Sequence, residues 1–249
     1  MEKPLENLVA GYSNTAIFRK IAFIGDSLSS GEFETVNEDG SHNYHDLYEY
    51  SWGQFIARKN GLTAYNFSRG GMTAKWYLGS FAEQNGFWDP EKACQAYVIA
   101  LGVNDVYNQK MPIGEKEDIQ RTEFDEKTPF ISYYAEIVRR YKEISPDAKF
   151  FFVTVPKESH KDASISQKMV EAMYALAEHF ENSYVIDLYE NAPEFTNELR
   201  KTHFLYNHMT PAGYLYFANL VDSYIDYIVR TNPADFKHVG FIGTDIKYK

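Results

Sequence analysis

Short apolar runs alternate along this chain with longer stretches whose apolar residues recur at helical spacing. Each short run has the length of a buried strand and ends at turn-forming residues. The predicted strands are 20–24, 62–67, 97–101, 149–155 and 184–188. The first of them stops abruptly at Gly25, Asp26 and Ser27, the residues that a strand would deliver to the carboxyl edge of a sheet.

The intervening stretches predict helices. A short helix over 52–60 ends at Gly61, and apolar residues spaced three and four apart mark helical faces within 130–144 and 165–180. Thr210 and Pro211 predict the start of the last long helix, as an N-cap followed by proline at the first helical position. Strands alternating with helices, with neither repeats nor a linker, indicate parallel βαβ units. We therefore predict a single α/β domain over 1–249, a three-layer α/β/α sandwich around a parallel sheet of about five strands.

Two polar segments interrupt this pattern. Residues 29–51 are rich in Gly, Asn, Asp, Glu, His and Tyr, and residues 106–127 are acidic and broken by Pro112 and Gly114. We interpret both as long loops over the active-site edge of the sheet, where loops tend to carry specificity.

Composition narrows the class of partner. The net charge of -10 disfavours nucleic acid and anionic membrane surfaces. The only cysteine, Cys94, cannot form an internal disulfide and is interpreted as a small buried residue. Residues 1–20 lack the apolar stretch of a signal peptide, so the default expectation is a cytoplasmic protein unless a signal has been removed. Some of the 20 Tyr and 18 Phe are expected to line a groove.

Three strand ends carry candidate chemistry, and each has a plain structural alternative. Ser27 is a candidate nucleophile, although Asp26 and Ser27 also suit the cap of a following helix. The pair Gly70-Gly71 can bring a backbone N–H close to a ligand or form an ordinary turn. Asn104 can aim its amide into a cleft or cap a turn.

Taken together, four motifs resemble the sequence blocks of the SGNH (GDSL) hydrolase family, in order. They are Gly25-Asp26-Ser27-Leu28, Asn66-x-Ser68-x-x-Gly71-x-Thr73, Gly102-x-Asn104-Asp105 and His208-Met209-Thr210-Pro211-Ala212-Gly213-Tyr214. The resemblance implies a flavodoxin-like sheet and hydrolysis of acyl esters through an acyl-enzyme, without a cofactor. It makes Ser27 the nucleophile and His208 the general base, with the oxyanion bound by the N–H groups of Ser27 and Gly71 and the side chain of Asn104. The nucleophile elbow G-x-S-x-G of the α/β-hydrolases is absent, because position 29 is serine.

One position departs from the family pattern. The family usually has an aspartate three residues before the histidine, and position 205 here is leucine. The third group beside His208 is then a backbone carbonyl near Leu205, the side chain of Asn207, or an acid from elsewhere in the sequence, and we favour the carbonyl. Asp187 is interpreted as a turn or cap residue and His203 as a surface or groove residue.

The departure leaves rival functions open: a binding protein on a decayed hydrolase scaffold, and an acyltransferase that uses the same intermediate. Metal binding and nucleotide binding lack support, since His42 and His45 lie in a polar segment without a matching ligand cluster and no phosphate-binding loop is present. The polar, aromatic segments at 29–51 and 106–127 favour a short acyl group such as acetyl on a polar small molecule or carbohydrate. The oligomeric state is not predicted.

Overall fold

A five-stranded parallel sheet forms the centre of the molecule. The computed structural model describes residues 2–158 and 160–246. Its strands are β1 (Lys20–Gly25), β2 (Glu32–Val36), β3 (His42–Asp46), β4 (Thr63–Ser68), β5 (Ala96–Ala100), β6 (Lys149–Val153), β7 (Ser183–Ile186), β8 (Phe204–Leu205) and β9 (His208–Met209). The sheet order is β4-β1-β5-β6-β7, so β1 is flanked by the two strands whose ends carry the other candidate motifs.

Helices cover both faces of this sheet. They are α1 (Ser27–Ser30), α2 (Trp52–Asn60), α3 (Ala74–Trp76), α4 (Ala82–Gln84), α5 (Phe130–Ile144), α6 (Ala163–His179), α7 (Leu188–Asn191), α8 (Asn197–His203), α9 (Pro211–Thr231) and α10 (Pro233–Phe236). Side chains of a strand point alternately to its two faces. Accordingly, Ala22 and Ile24 of β1 join the core cluster of α5 and α6, whereas Ile21 and Phe23 join that of α2 and α9. This confirms the predicted three-layer α/β/α class.

Several predicted element ends are confirmed by their capping contacts. Helix α2 ends at Gly61, which adopts a left-handed conformation at φ 67°. Helix α9 begins with the Thr210 hydroxyl accepting the Gly213 N–H at 3.1 Å. Asp187 caps α7, its carboxylate accepting the Glu190 N–H at 3.0 Å, as its interpretation as a cap residue required.

The interpretation of residues 29–51 as a loop is wrong. Strands β2 and β3 form an antiparallel hairpin in which Glu34 pairs with Tyr44 and Glu32 with Asp46, and the turn between them includes Gly40 at φ 83°. The hairpin escapes the apolar pattern because most of β3 is exposed and its residues are polar. The segment 106–127 is irregular apart from short helical turns at Val103–Asn108 and Lys116–Gln120.

Two further observations concern the single cysteine and the helices. Cys94 is buried, and this burial raises the pKa of its thiol to about 12, so the thiol is held in its unreactive protonated form. Among the described residues, no helix combines the length and apolar character needed to cross a membrane.

Candidate active site

The four predicted site residues lie around one cavity. Ser27, Gly71, Asn104 and His208 all line a space of about 1040 Å³. The first three follow β1, β4 and β5, which are neighbours in the sheet, and His208 lies on β9. The parallel strands therefore bring together three residues that are up to 77 positions apart in the sequence, and β9, outside the central sheet, adds His208.

Ser27 opens the short helix α1. Asp26 is its N-cap, and its carboxylate accepts the Leu28 N–H at 3.1 Å, so the capping interpretation holds for Asp26. Burial raises the pKa of Asp26 to about 6. Because Ser27 is the first helical residue, its own N–H has no partner within the helix and is available to an incoming oxyanion.

Gly71 lies in a tight turn whose end is held by the buried carboxylate of Asp105. Its φ of 71° is in the left-handed region, which glycine adopts without strain. Both oxygens of Asp105 accept the Ala74 N–H, at 2.9 and 3.1 Å, and the residue is inaccessible to solvent. Burial raises the pKa of Asp105 to about 7. Asp105 thus ties the end of this turn to the segment that follows β5.

Asn104 is oriented by two neighbours. Its Nδ2 donates to the Met72 carbonyl at 3.0 Å, and its Oδ1 accepts from Asn108 Nδ2 at 2.7 Å. With the oxygen occupied by Asn108, the amide presents its N–H groups toward the turn that carries Gly71. The sequence pattern did not reveal this contact of Asn108, which lies one helical turn after Asn104.

His208 is held by a carboxylate that comes from the hairpin. Its Nδ1 lies 2.8 Å from Oε2 of Glu34, whose side chain is 1% exposed. The same carboxylate accepts the Asn207 N–H at 3.0 Å and contacts Nδ1 of His42 at 2.6 Å. The favoured prediction, that a backbone carbonyl near Leu205 contacts the ring, is therefore wrong. The alternative that the Asn207 side chain makes this contact is also wrong. The acid from elsewhere in the sequence is Glu34, 174 positions before the histidine.

A second carboxylate approaches the other ring nitrogen. Oε1 of Glu32 lies 3.0 Å from Nε2 of His208. Glu32 and Glu34 are two residues apart on one strand, so both side chains point to the same face of the hairpin. The imidazole ring lies between them.

These two carboxylates favour the protonated form of the ring. Burial by itself lowers the pKa of His208, but hydrogen bonds and charge interactions with Glu32 and Glu34 outweigh it, and the net effect raises the pKa above 6.5. Burial likewise raises the pKa of Glu34, but its hydrogen bonds, first of all to His208, outweigh that effect and lower the pKa overall. The geometry stabilises an imidazolium ion.

A signal for the hairpin does exist in the sequence. Asp39-Gly40 is a dipeptide typical of hairpin turns, and Glu32-Phe33-Glu34 before it alternates polar and apolar residues. The residue composition of 29–51 hid this alternation. The polar composition of residues 29–51 therefore predicted that the segment lies at the surface, but not that its backbone forms two strands.

Of the other candidate histidines, His42 contacts Glu34, whereas His203 and His45 lie apart from this arrangement. His203, at the end of α8, contacts the Leu199 carbonyl and Thr202. His45 lies on exposed β3 and contacts Thr35 at 3.2 Å. Within residues 2–158 and 160–246, no group of three or more His, Cys, Asp or Glu side chains is arranged to hold a metal ion.

Aromatic side chains form part of the cavity wall. Tyr44 of β3 packs edge-on against the His208 ring at a centroid distance of 5.6 Å, and Tyr107 and Phe195 line the same space. Tyr44 is 56% exposed, so one side of its ring is open to a ligand.

Comparisons with known proteins identify the family of the chain and several structures of similar fold. Residues 23–215 match the model of the GDSL-like lipase/acylhydrolase family. The fold is similar to that of a family two carbohydrate esterase from Clostridium thermocellum in complex with cellohexaose, with a TM-score of 0.58, 17% identity, and coverage of 87% of this chain and 65% of that one. It is also similar to a possible lipase from Chitinophaga pinensis, with a TM-score of 0.57, 16% identity, and coverage of 86% of this chain and 98% of that one. A family 3 carbohydrate esterase from Clostridium thermocellum is similar with a TM-score of 0.53, 14% identity, and coverage of 85% of this chain and 97% of that one. A search of curated proteins gave no significant match.

Proposed function

The chain belongs to the GDSL-like lipase/acylhydrolase family, and we propose that it removes short acyl groups such as acetyl from a polar or carbohydrate carrier through an acyl-enzyme on Ser27. Family membership confirms the resemblance and identifies the chain as a GDSL-type esterase. The proposal adds the substrate, the intermediate and the role of each residue.

One observation carries the proposal: His208 lies on the same cavity as Ser27 while its Nδ1 is held by the buried carboxylate of Glu34. A carboxylate at Nδ1 fixes the ring and its tautomer and stabilises the positive charge that forms when Nε2 takes a proton. Glu34 thus orients His208 in place of the aspartate that the family usually has at the position of Leu205.

The reaction follows from these positions. Ser27 Oγ attacks the ester carbonyl carbon as its proton passes to Nε2 of His208, and the negative charge on the carbonyl oxygen is bound by the N–H groups of Ser27 and Gly71 and by Asn104 Nδ2. The imidazolium then protonates the leaving alcohol, and the acyl group remains on Ser27. Water attacks that ester with His208 again as base, releasing the acid and restoring Ser27.

The shape and lining of the cavity support a polar carrier. Tyr44 and Tyr107 line the cavity beside polar groups, a combination that suits the mixed polar and apolar faces of a sugar. Similarity of fold to carbohydrate esterases, one of them in complex with cellohexaose, is consistent with such a carrier.

The test is hydrolysis of p-nitrophenyl acetate, butyrate and octanoate by the parent protein and by Ser27→Ala and His208→Ala. We expect both variants to lose on the order of 10⁴–10⁶ in kcat, because nucleophile and base act as one unit, and acetate to be turned over faster than octanoate. His203→Ala and Ser41→Ala are the matched controls and retain parental rates. Equal rates for parent and Ser27→Ala would overturn the mechanism, and a preference for octanoate would overturn the short-acyl assignment.

A further inference from the structure

The carboxylate of Glu32 contacts Nε2 of His208, the ring nitrogen through which the proposed catalysis must proceed. Its Oε1 lies 3.0 Å from Nε2, the nitrogen that exchanges protons with Ser27 and with the leaving alcohol. Its backbone is fixed, since its carbonyl accepts the Tyr214 hydroxyl at 2.6 Å and it pairs with Asp46 across the hairpin. The carboxylate also lies against Gly70, where an added Cβ would collide with Oε2 of Glu32.

This position coincides with that of a substrate atom. A general acid must come within about 3 Å of the oxygen that it protonates. The leaving alcohol oxygen therefore needs the place, beside Nε2, that Oε1 of Glu32 now fills. When the ester binds, the carboxylate must rotate away on its fixed backbone, and its short side chain keeps it next to the alcohol.

We propose that Glu32 is a specificity-determining residue for the alcohol part of the ester: displaced from Nε2, its carboxylate accepts hydrogen bonds from hydroxyl groups that neighbour the ester on the carrier. This inference rests on the proposed function and names the chemistry of the leaving group. Carriers with free hydroxyls beside the ester are favoured, and carriers with a negative charge there are rejected.

The charges around the site agree with this selection. Glu32 and Glu34 contact the two ring nitrogens of His208, and Glu34 also contacts Nδ1 of His42. The nearby Lys161 is paired with Glu158 at 2.5 Å, and Arg200 contacts the same carboxylate at 3.0 Å. An anionic group placed beside Nε2 would lie against the carboxylate of Glu32, whereas a hydroxyl can donate to it.

The experiment compares three acetyl esters with the same three-carbon alcohol chain: propyl acetate, glycerol 1-monoacetate and 3-acetoxypropanoate. Values of kcat/KM are measured for the parent, Glu32→Gln and the control Glu38→Gln, which makes the same chemical change at the exposed hairpin turn. Circular dichroism and thermal melting of each variant check the fold.

In the parent we expect glycerol monoacetate to exceed propyl acetate by about tenfold, the effect of a hydrogen bond to a charged group. We expect 3-acetoxypropanoate to fall at least about tenfold below propyl acetate because of like-charge repulsion. In Glu32→Gln both ratios move to within about threefold of unity, whereas Glu38→Gln keeps the parental ratios.

Two outcomes overturn the inference while leaving the proposed function intact. One is unchanged ratios in Glu32→Gln. The other is an equal increase in kcat/KM for all three esters in Glu32→Gln, which would mean that Glu32 only blocks Nε2 and does not select the alcohol. Absence of any Ser27-dependent hydrolysis of the three esters would overturn the proposed function itself, and this inference with it.

Discussion

The two halves of the site are built differently. On the proposed oxyanion side, Gly71 and Asn104 follow the two strands that flank β1 in the central sheet. The segments that carry them are tied together by the bonds of Asp105 to the Ala74 N–H and of Asn104 to the Met72 carbonyl. On the base side, His208 lies on a two-residue strand, and its carboxylate partner Glu34 belongs to a hairpin outside that sheet. The proposed oxyanion donors therefore take their positions from the sheet, whereas the proposed base depends on the correct docking of a hairpin outside it.

The largest effect is expected on the base side. Glu34→Ala removes the charge and the hydrogen-bond partner of Nδ1, and we expect kcat for p-nitrophenyl acetate to fall by about 10³–10⁴, the range for losing the acid of a catalytic triad. Glu38→Ala, on the same hairpin, is the control. A loss of less than tenfold would show that another group orients His208.

The next effect is expected on the oxyanion side. Asn104→Ala removes one donor to the tetrahedral intermediate, and we expect a loss of about 10²–10³ in kcat with KM little changed. Steady-state kinetics on p-nitrophenyl acetate measures the split. A change confined to KM would indicate that Asn104 binds the ground state instead.

A smaller effect is expected one step away from the reacting atoms. Asn108→Ala frees the Asn104 oxygen, so that the amide is no longer held in one orientation, and we expect kcat to fall by about tenfold, the worth of one hydrogen bond. The double variant with Asn104→Ala should be no slower than Asn104→Ala alone, because Asn108 acts through that side chain. Additive losses would contradict this role.

The smallest effect concerns pH. The pKa of His208 is raised above 6.5 by Glu32 and Glu34, and the base must be neutral to accept a proton, so kcat/KM should fall as pH decreases through that raised pKa. Glu34→Gln removes one charge that raises the pKa, so the acidic limb moves to lower pH while the maximum rate drops. A pH profile of the parent and this variant tests the direction. A limb that stays in place or moves to higher pH would contradict the charge interaction.

Much of the oxyanion side could be predicted before the structure, and the reason is local. Asp26 and Ser27, Gly70 and Gly71, and Asn104 each follow directly on a buried apolar run, and parallel strands end at one edge of a sheet. Hydrophobic spacing identified β1, β4 and β5, so their terminal residues could be assigned to one cleft. Asn108 was missed because its role depends on the orientation of a neighbouring side chain.

The three-layer class, the five strands and the four motifs could be predicted from the sequence alone, because burial and capping leave their pattern within a few residues of each element. Only the tertiary structure decided that Glu34 binds Nδ1 of His208 and Glu32 meets Nε2, since both contacts join a polar hairpin to a segment more than 170 positions later. Polar strands leave little hydrophobic pattern, and a contact between distant segments depends on how the hairpin docks on the domain. The residue that replaces the expected aspartate is therefore fixed by packing.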